Sequence, residues 1–389
     1  MGNRRLALTG ALTLCLATGS GCAGTGPEAV RVASAPAVTA AGGGTELAGG
    51  GAETVTTVAP TPPASSPAPP TTARDPRLGA GRPVTIAFAG DVAFEAELAD
   101  RLAADPSTVL EPIAGLLSSA DLTVVNLETA VTERGEPAPK QFTFRAPPTA
   151  LEALAAAGVD VASMANNHGL DYGPVGLADT LAAERASGFP LIGIGADEAE
   201  AEAYAPYLAE IDGQRIAVLA ATQVLDSSLI DTWTATAGRG GVASAKRVER
   251  LVDAVRATRA EADTVVVFLH WGVELATCPS ATQQDLARRL VDAGADVIVG
   301  SHAHRLQGGG RLGDALVHYG LGNLAFYAGS ADGARSGVLT VTVTGRRVDA
   351  YEWVPAEIAG RVPYPLVGAA ATESLARWED LRACTGLAP

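Results

Sequence analysis

From Pro83 onward, short apolar runs alternate with stretches whose apolar positions recur at helical spacing. Residues 83–91 form an apolar run ending in Gly90-Asp91 and predict a strand, as do 122–128 and 159–164. Between them the pattern predicts helices over 94–104, 148–157 and 174–185, the last two opened by a proline, where a missing N–H costs little. A strand over 190–195 follows, then a hairpin of 207–211 and 215–221 turning at Asp212-Gly213. Helices over 245–260 and 279–293, the second capped by Gly294, lead into apolar strands at 264–270 and 295–300. Beyond that point the pattern is strands, 315–319, 337–344 and 348–354, closed by a helix over 372–383. Alternation of strand and helix followed by β-structure predicts one α/β domain, residues 83–360, whose layers include a β-sandwich, with the C-terminal helical segment 361–389 packed on it.

The stretch before Pro83 reads differently. Residues 23–82 are rich in Ala, Gly, Thr and Pro with few large apolar residues, so they predict a disordered tether that serves as a spacer. Residues 1–22 carry a short basic region (Arg4, Arg5), an apolar stretch from Leu6 to Ala17, and small residues before Cys22. That pattern predicts export and is too short to stay in a bilayer as a span. It resembles a bacterial lipoprotein signal, in which Cys22 would be lipidated and tie the chain to the outer face of the membrane, although Gly19 stands where such signals usually have Leu. A simple secretory signal and an uncleaved anchor are the alternatives.

Composition narrows the function. An apolar fraction of 47% over 389 residues supplies a large core. The net charge of −15 argues against a grip on nucleic acid, which needs basic surface to replace counterions. A small anionic ligand remains compatible if a metal supplies positive charge locally. Of the four cysteines, Cys15 and Cys22 belong to the leader, which leaves Cys278 and Cys384. In an exported domain a disulfide between them is the economical arrangement, since no CxxC spacing supports a zinc site.

The candidate chemistry lies at strand ends. Of the five histidines, His168, His270, His302 and His304 fall where predicted strands run out into loops, together with Asp91, Glu128 and Asn167. In open α/β sheets ligands bind at that edge. A mixed imidazole, carboxylate and amide set points to Zn, Mn or Fe rather than Ca or Mg, with one or two ions to be held. The fifth histidine, His318, lies inside a predicted strand and reads as a satisfied core residue. Trp271 reads as packing, Asp171 as a residue that fixes its own loop, Glu274 as a partner orienting a ligand histidine, and Asn323 as a further group behind the ligands. Arg145 is a candidate for a substrate carboxylate or phosphate, with a buried structural ion pair as the equal alternative.

Gly90-Asp91, Asn126-Leu127-Glu128, residues 165–173 (ANNHGLDYG), His270 to Glu274, Gly300 to His304 and Tyr319 to Asn323 occur in the order seen in the CapA family of capsule or poly-γ-glutamate biosynthesis proteins, which this chain resembles from about Val84 to Val354. The resemblance implies a branch of the calcineurin-like metallophosphoesterases, with a four-layer α/β/β/α sandwich and a dinuclear centre. It would place Glu128 at the bridging carboxylate, Asn167, His270 and His302 on one metal, Asp91 and His304 on the other, and His168 beside the leaving group. The first motif departs from the phosphoesterase Asp-x-His, because Ala93 stands where the histidine would be, so one metal is short of a ligand. The functions implied are cleavage, transfer or release of an anionic envelope polymer, or else a non-catalytic partner that scaffolds a membrane-bound synthase or holds the polymer. A generic phosphodiesterase is a third option.

Overall fold

The computed structural model describes residues 79–196 and 202–389. The leader with Cys22, and the tether as far as residue 78, lie outside the described residues. Within 79–389, two mixed sheets stack face to face with helices on their outer sides.

In the first sheet the central strand Val84–Val92 pairs in parallel with Leu122–Leu127, followed outward by Val161–Ser163 and Leu191–Ile192. On its other side Arg335–Thr344, Arg347–Ala359 and Val362–Pro365 continue the sheet antiparallel. The hairpin partner at 362–365 shows that sheet structure crosses the boundary expected at residue 360. The second sheet runs Tyr207–Ile211, Gln214–Thr222, Thr264–His270, Val297–Ser301, Ala315–Leu321 and Leu306–Leu312, with the middle four strands parallel. Parallel strands end at one edge of each sheet. Register places Asp91 beside Asn126, and His270 beside Ser301.

Alternation along each strand explains the layers. Ile86 and Phe88 of the first sheet face Val218, Val266, Phe268 and Val299 of the second, forming a central core. The intervening Ala87 and Ala89 face outward onto Leu98, Ile113, Leu151 and Leu154 of the helices over the first sheet. Val265 and Val267 likewise face Leu251, Val255, Leu286 and Leu290 on the opposite side. Phe88 and Phe268 are fully buried between the sheets, where each such side chain stabilises the fold by roughly 1.5–3 kcal/mol.

Several elements escape the hydrophobic pattern. The segment Leu306–Leu312, with Gly308, Gly309 and Gly310, forms an edge strand. A Cβ on these glycines would come within 2.4 Å of Leu381 O, 2.5 Å of His318 Cδ2 and 2.3 Å of Ala388 O respectively. The glycines therefore admit the C-terminal segment, which lies against the edge strand and exchanges backbone hydrogen bonds between Ala388 and Arg311 of 2.7 and 3.0 Å. Helix Glu111–Leu117 was also not anticipated; Pro112 and Gly115 mask its pattern, although Ile113 and Leu117 are buried. The terminal helix spans Gly368–Asp380, earlier than expected, and docks through buried Trp378. Cys278 and Cys384 form a disulfide with Cα atoms 5.7 Å apart. No helix among the described residues is long and apolar enough to cross a membrane.

Candidate metal centre

Each ligand-type residue sits where a parallel strand leaves its sheet. Asp91 ends Val84–Val92, Glu128 follows Leu122–Leu127, and Asn167 and His168 lie in the loop after Val161–Ser163. His270 ends Thr264–His270, and His302 and His304 follow Val297–Ser301. The two sheets bring these seven residues to a common edge. Glu128, His270 and His302 form one cluster and Asp91, Glu128 and His304 a second, with the potential ligand atoms of each cluster within 4.8 Å of one another.

Glu128 belongs to both clusters. It is fully buried, and neither carboxylate oxygen has a hydrogen-bond partner among the described residues. A buried carboxylate without partners costs several kcal/mol unless a cation completes it. Three imidazole nitrogens approach Glu128 Oε1: His270 Nε2 at 3.4 Å, His168 Nε2 at 3.9 Å and His304 Nε2 at 4.0 Å. His302 Nδ1 is likewise buried without a partner. These orphaned atoms fit a metal ion.

Surrounding groups aim the ligands. His270 Nδ1 lies 3.0 Å from Ser301 Oγ, which leaves Nε2 facing Glu128 and 2.6 Å from Asn167 Oδ1. Asp91 accepts from Asn126 Nδ2 at 2.8 Å and from the His302 backbone N–H at 3.2 Å, so it also ties the histidine loop to the first sheet. Asn126 accepts in turn from Asn166 Nδ2 at 3.1 Å. Asn323 Oδ1 stands 2.8 Å from His304 Nδ1. The histidine loop is strained, with φ of 92° at His302 and 50° at His304. Such backbone costs of order 1–3 kcal/mol per residue and persists because neighbours over-determine it.

The electrostatics match the geometry. Burial, reinforced by the neighbouring imidazoles, pushes His302 down to about 4 and His270 well below its ordinary value, so both present lone pairs at neutral pH. Burial and the adjacent Asp91 push Glu128 well above the usual carboxylate range. Burial also pulls on His304, but Glu128 and Asp91 outweigh it and raise it to about 9. A buried Glu128 held above its ordinary range beside two neutral imidazoles describes a donor set that a cation would complete.

His168 occupies a separate position beside the clusters. Its Nδ1 lies 2.6 Å from Asp171 Oδ2, its Nε2 faces Glu128, and Phe144 stacks on its ring with centroids 4.1 Å apart. Asp171 therefore does more than fix its own loop. Its other oxygen accepts from Lys140 Nζ at 2.7 Å, and Lys140 also donates to the Asn167 carbonyl. Burial lowers His168, and the Asp171 carboxylate opposes that shift. Lys140 was not picked out from sequence, because nothing in its spacing marks it.

Two expected roles change. Arg145 is exposed, with its guanidinium 4.9 Å over the Tyr172 ring and its backbone N–H on Glu95, so it is not in a buried ion pair and stands outside the ligand clusters. Glu274 is also exposed, and the groups behind the candidate ligand histidines are Ser301 on His270 and Asn323 on His304. Trp271 is buried and donates to Tyr319 O at 2.8 Å, as packing requires. His318 is buried against Trp353 and Trp378, accepting from Trp378 Nε1 at 2.9 Å.

A layered α/β sandwich with a buried imidazole and carboxylate cluster at facing strand ends defines a candidate metal-binding protein. The bacterial capsule synthesis protein family PGA_cap matches residues 85–328, and the chain belongs to that family. PGA biosynthesis protein CapA of Bacillus subtilis (strain 168) is 27% identical over 288 residues, covering 73% of this chain and 74% of that protein. Capsule biosynthesis protein CapA of Bacillus anthracis is 28% identical over 296 residues, covering 74% of this chain and 70% of that protein. Among solved structures, the sulfate thiohydrolase SoxB of Thermus thermophilus is 15% identical with a TM-score of 0.38, covering 80% of this chain and 61% of that one.

Proposed function

We propose that the protein is an exported, metal-dependent hydrolase of capsule biosynthesis that cleaves or releases an anionic envelope polymer of the poly-γ-glutamate kind. The observation that carries this reading is Glu128, whose two unpartnered buried oxygens converge with His270 and His302. Glu128, Asn167, His270 and His302 would hold one divalent Zn, Mn or Fe ion, and Asp91, Glu128 and His304 a second. When bound, such an ion supplies Lewis acidity and a water acidified enough to attack near neutral pH.

The chain's own residues do the rest. His168 directs Nε2 toward the cluster, because Asp171 holds Nδ1. It delivers a proton to the departing nitrogen or oxygen as the scissile bond breaks and regains one from water, a role worth ~10²–10⁴-fold. Lys140 offsets the Asp171 charge and stands 3.3 Å from His168 Nδ1, and Phe144 shields the ring face. The expected lipid anchor at Cys22 would place this chemistry at the outer face of the membrane, where the polymer or its synthase is met.

Elemental analysis of the purified full chain tests the reading. Wild type should carry about one or two equivalents of metal, and His302→Ala and Glu128→Gln should lose them while keeping the fold. A wild type that stays metal-free after reconstitution would remove the hydrolase. The second reading, a non-catalytic holder of the polymer or scaffold for its synthase, is favoured by one feature: buried Ala93 supplies no ligand where phosphoesterases have a histidine. Metal retained together with no cleavage of any anionic polymer would support that holder.

A further inference from the structure

Beside His304 the surface opens into a cleft of about 350 Å³, lined by Glu274, Leu275, Arg305, Phe326 and Tyr327 among others. None of the motifs that mark the metal centre draws attention to Arg305, yet it is the best-prepared cation in this cleft. Its Nη1 donates to the His304 carbonyl at 2.8 Å and its Nη2 to Ser330 Oγ at 3.0 Å. Both acceptors are neutral, so the guanidinium charge is not consumed by them. The backbone is shaped around the group: a Cβ at Gly333 would come within 2.8 Å of Arg305 Nη1. Ser330 is itself held by the Gly333 N–H at 3.2 Å, and Asn323 ties that turn to His304 by donating to Gly333 O at 3.0 Å while its Oδ1 meets His304 Nδ1. Arg305 is thus fixed relative to a candidate ligand of the metal centre. One wall of the cleft is aromatic, with buried Phe326 stacked on His304 and Tyr327 45% exposed.

We infer that this cleft is the subsite for the polymer segment next to the scissile bond, and that Arg305 receives its carboxylate. The inference rests on the hydrolase reading above but concerns recognition rather than cleavage. A rigid guanidinium with free donors matches a carboxylate in a two-pronged arrangement, and the apolar wall accommodates the methylenes between successive charges. Glu274, exposed in the same cleft, opposes an acidic segment and sets how tightly it is held.

The test is calorimetric binding of a γ-linked glutamate trimer to the metal-loaded full chain, in a His168→Ala background so that the trimer is not consumed. Arg305→Gln should weaken binding by roughly 10- to 100-fold, the effect of losing a charged hydrogen bond. Arg305→Lys should recover part of it, and Glu274→Gln should tighten it. Metal content and melting temperature of each variant establish that the fold and the centre are intact. Trimer binding that is unchanged in Arg305→Gln, absent from the His168→Ala chain, or surpassed by tripolyphosphate would overturn the inference. Cleavage by the chain with His168 present is scored separately: tight, Arg305-dependent binding without cleavage retains the subsite and rejects the hydrolase, whereas cleavage with an Arg305→Gln KM equal to wild type does the reverse.

Discussion

Asp171 places one carboxylate between two nitrogen bases, His168 Nδ1 at 2.6 Å and Lys140 Nζ at 2.7 Å. Asp171→Asn removes the charge that supports a protonated His168, so cleavage should fall by about 10²-fold while metal content, read by elemental analysis, is retained. Lys140→Met should move the same rate by less, because its ammonium holds Asp171 in place while its charge, 3.3 Å from His168 Nδ1, disfavours the protonated ring. His318 gives a separate pH signature. Burial between two tryptophans holds it down to about 3, against an ordinary value of 6.5, so the folded protein keeps it neutral. Between those values the unfolded chain binds a proton that the folded one does not, so this contribution to stability is complete above about pH 6.5 and is lost as pH falls toward 3, by about 1.4 kcal/mol per pH unit. Denaturant unfolding of wild type and His318→Phe across pH 4 to 7 should show a shallower pH slope in the variant. The ligands themselves were legible because strand ends deliver them in pairs and in order. Their supports were not: Lys140 reaches its partners from a loop, and Ser301 looks like a spacer until His270 turns onto it.

The glycine strand Leu306–Leu312 shows what hydrophobic pattern cannot report. Three successive glycines carry no side chain to alternate, so the segment reads as a loop, yet their absence of Cβ is what lets the tail and His318 approach. Gly309→Ala should therefore destabilise by about 1–3 kcal/mol, measured by chemical denaturation, although the strand backbone itself would accept alanine. Strands with branched side chains, such as Thr264–His270, were visible at once. The helix expected over 279–293 was visible too, through its pattern and Gly294, which takes a φ of 112° at the end of Ala281–Ala293; the structure adds a capping box of Ser280 and Gln283 at its start. Short helices interrupted by proline and glycine, such as Glu111–Leu117, gain their stability from buried Ile113 and Leu117 rather than from local preference.

At the scale of the whole molecule, the centre is divided between the sheets: the first contributes Asp91, Glu128 and Asn167, and the second His270, His302 and His304. A bound ion would bridge them, so chelation should lower the melting temperature, by an amount equivalent to about 2.7 kcal/mol at a free-metal concentration 100-fold above Kd. Calorimetric scans with and without chelator measure it. The disulfide adds a second tie, and Cys384→Ser should cost about 2–5 kcal/mol, an effect that reductant should reproduce in wild type. The segment that carries Cys384 also closes the second sheet. Until residues 381–388 are in place, the glycine strand is an open edge and Cys278 lacks its disulfide partner, so the second sheet is finished by a segment that follows all of its strands in the chain. A chain cut back before residue 381 keeps all seven strand-end residues yet leaves this edge unpaired and prone to pair with another chain, so the centre's scaffold depends on a segment far from it in sequence.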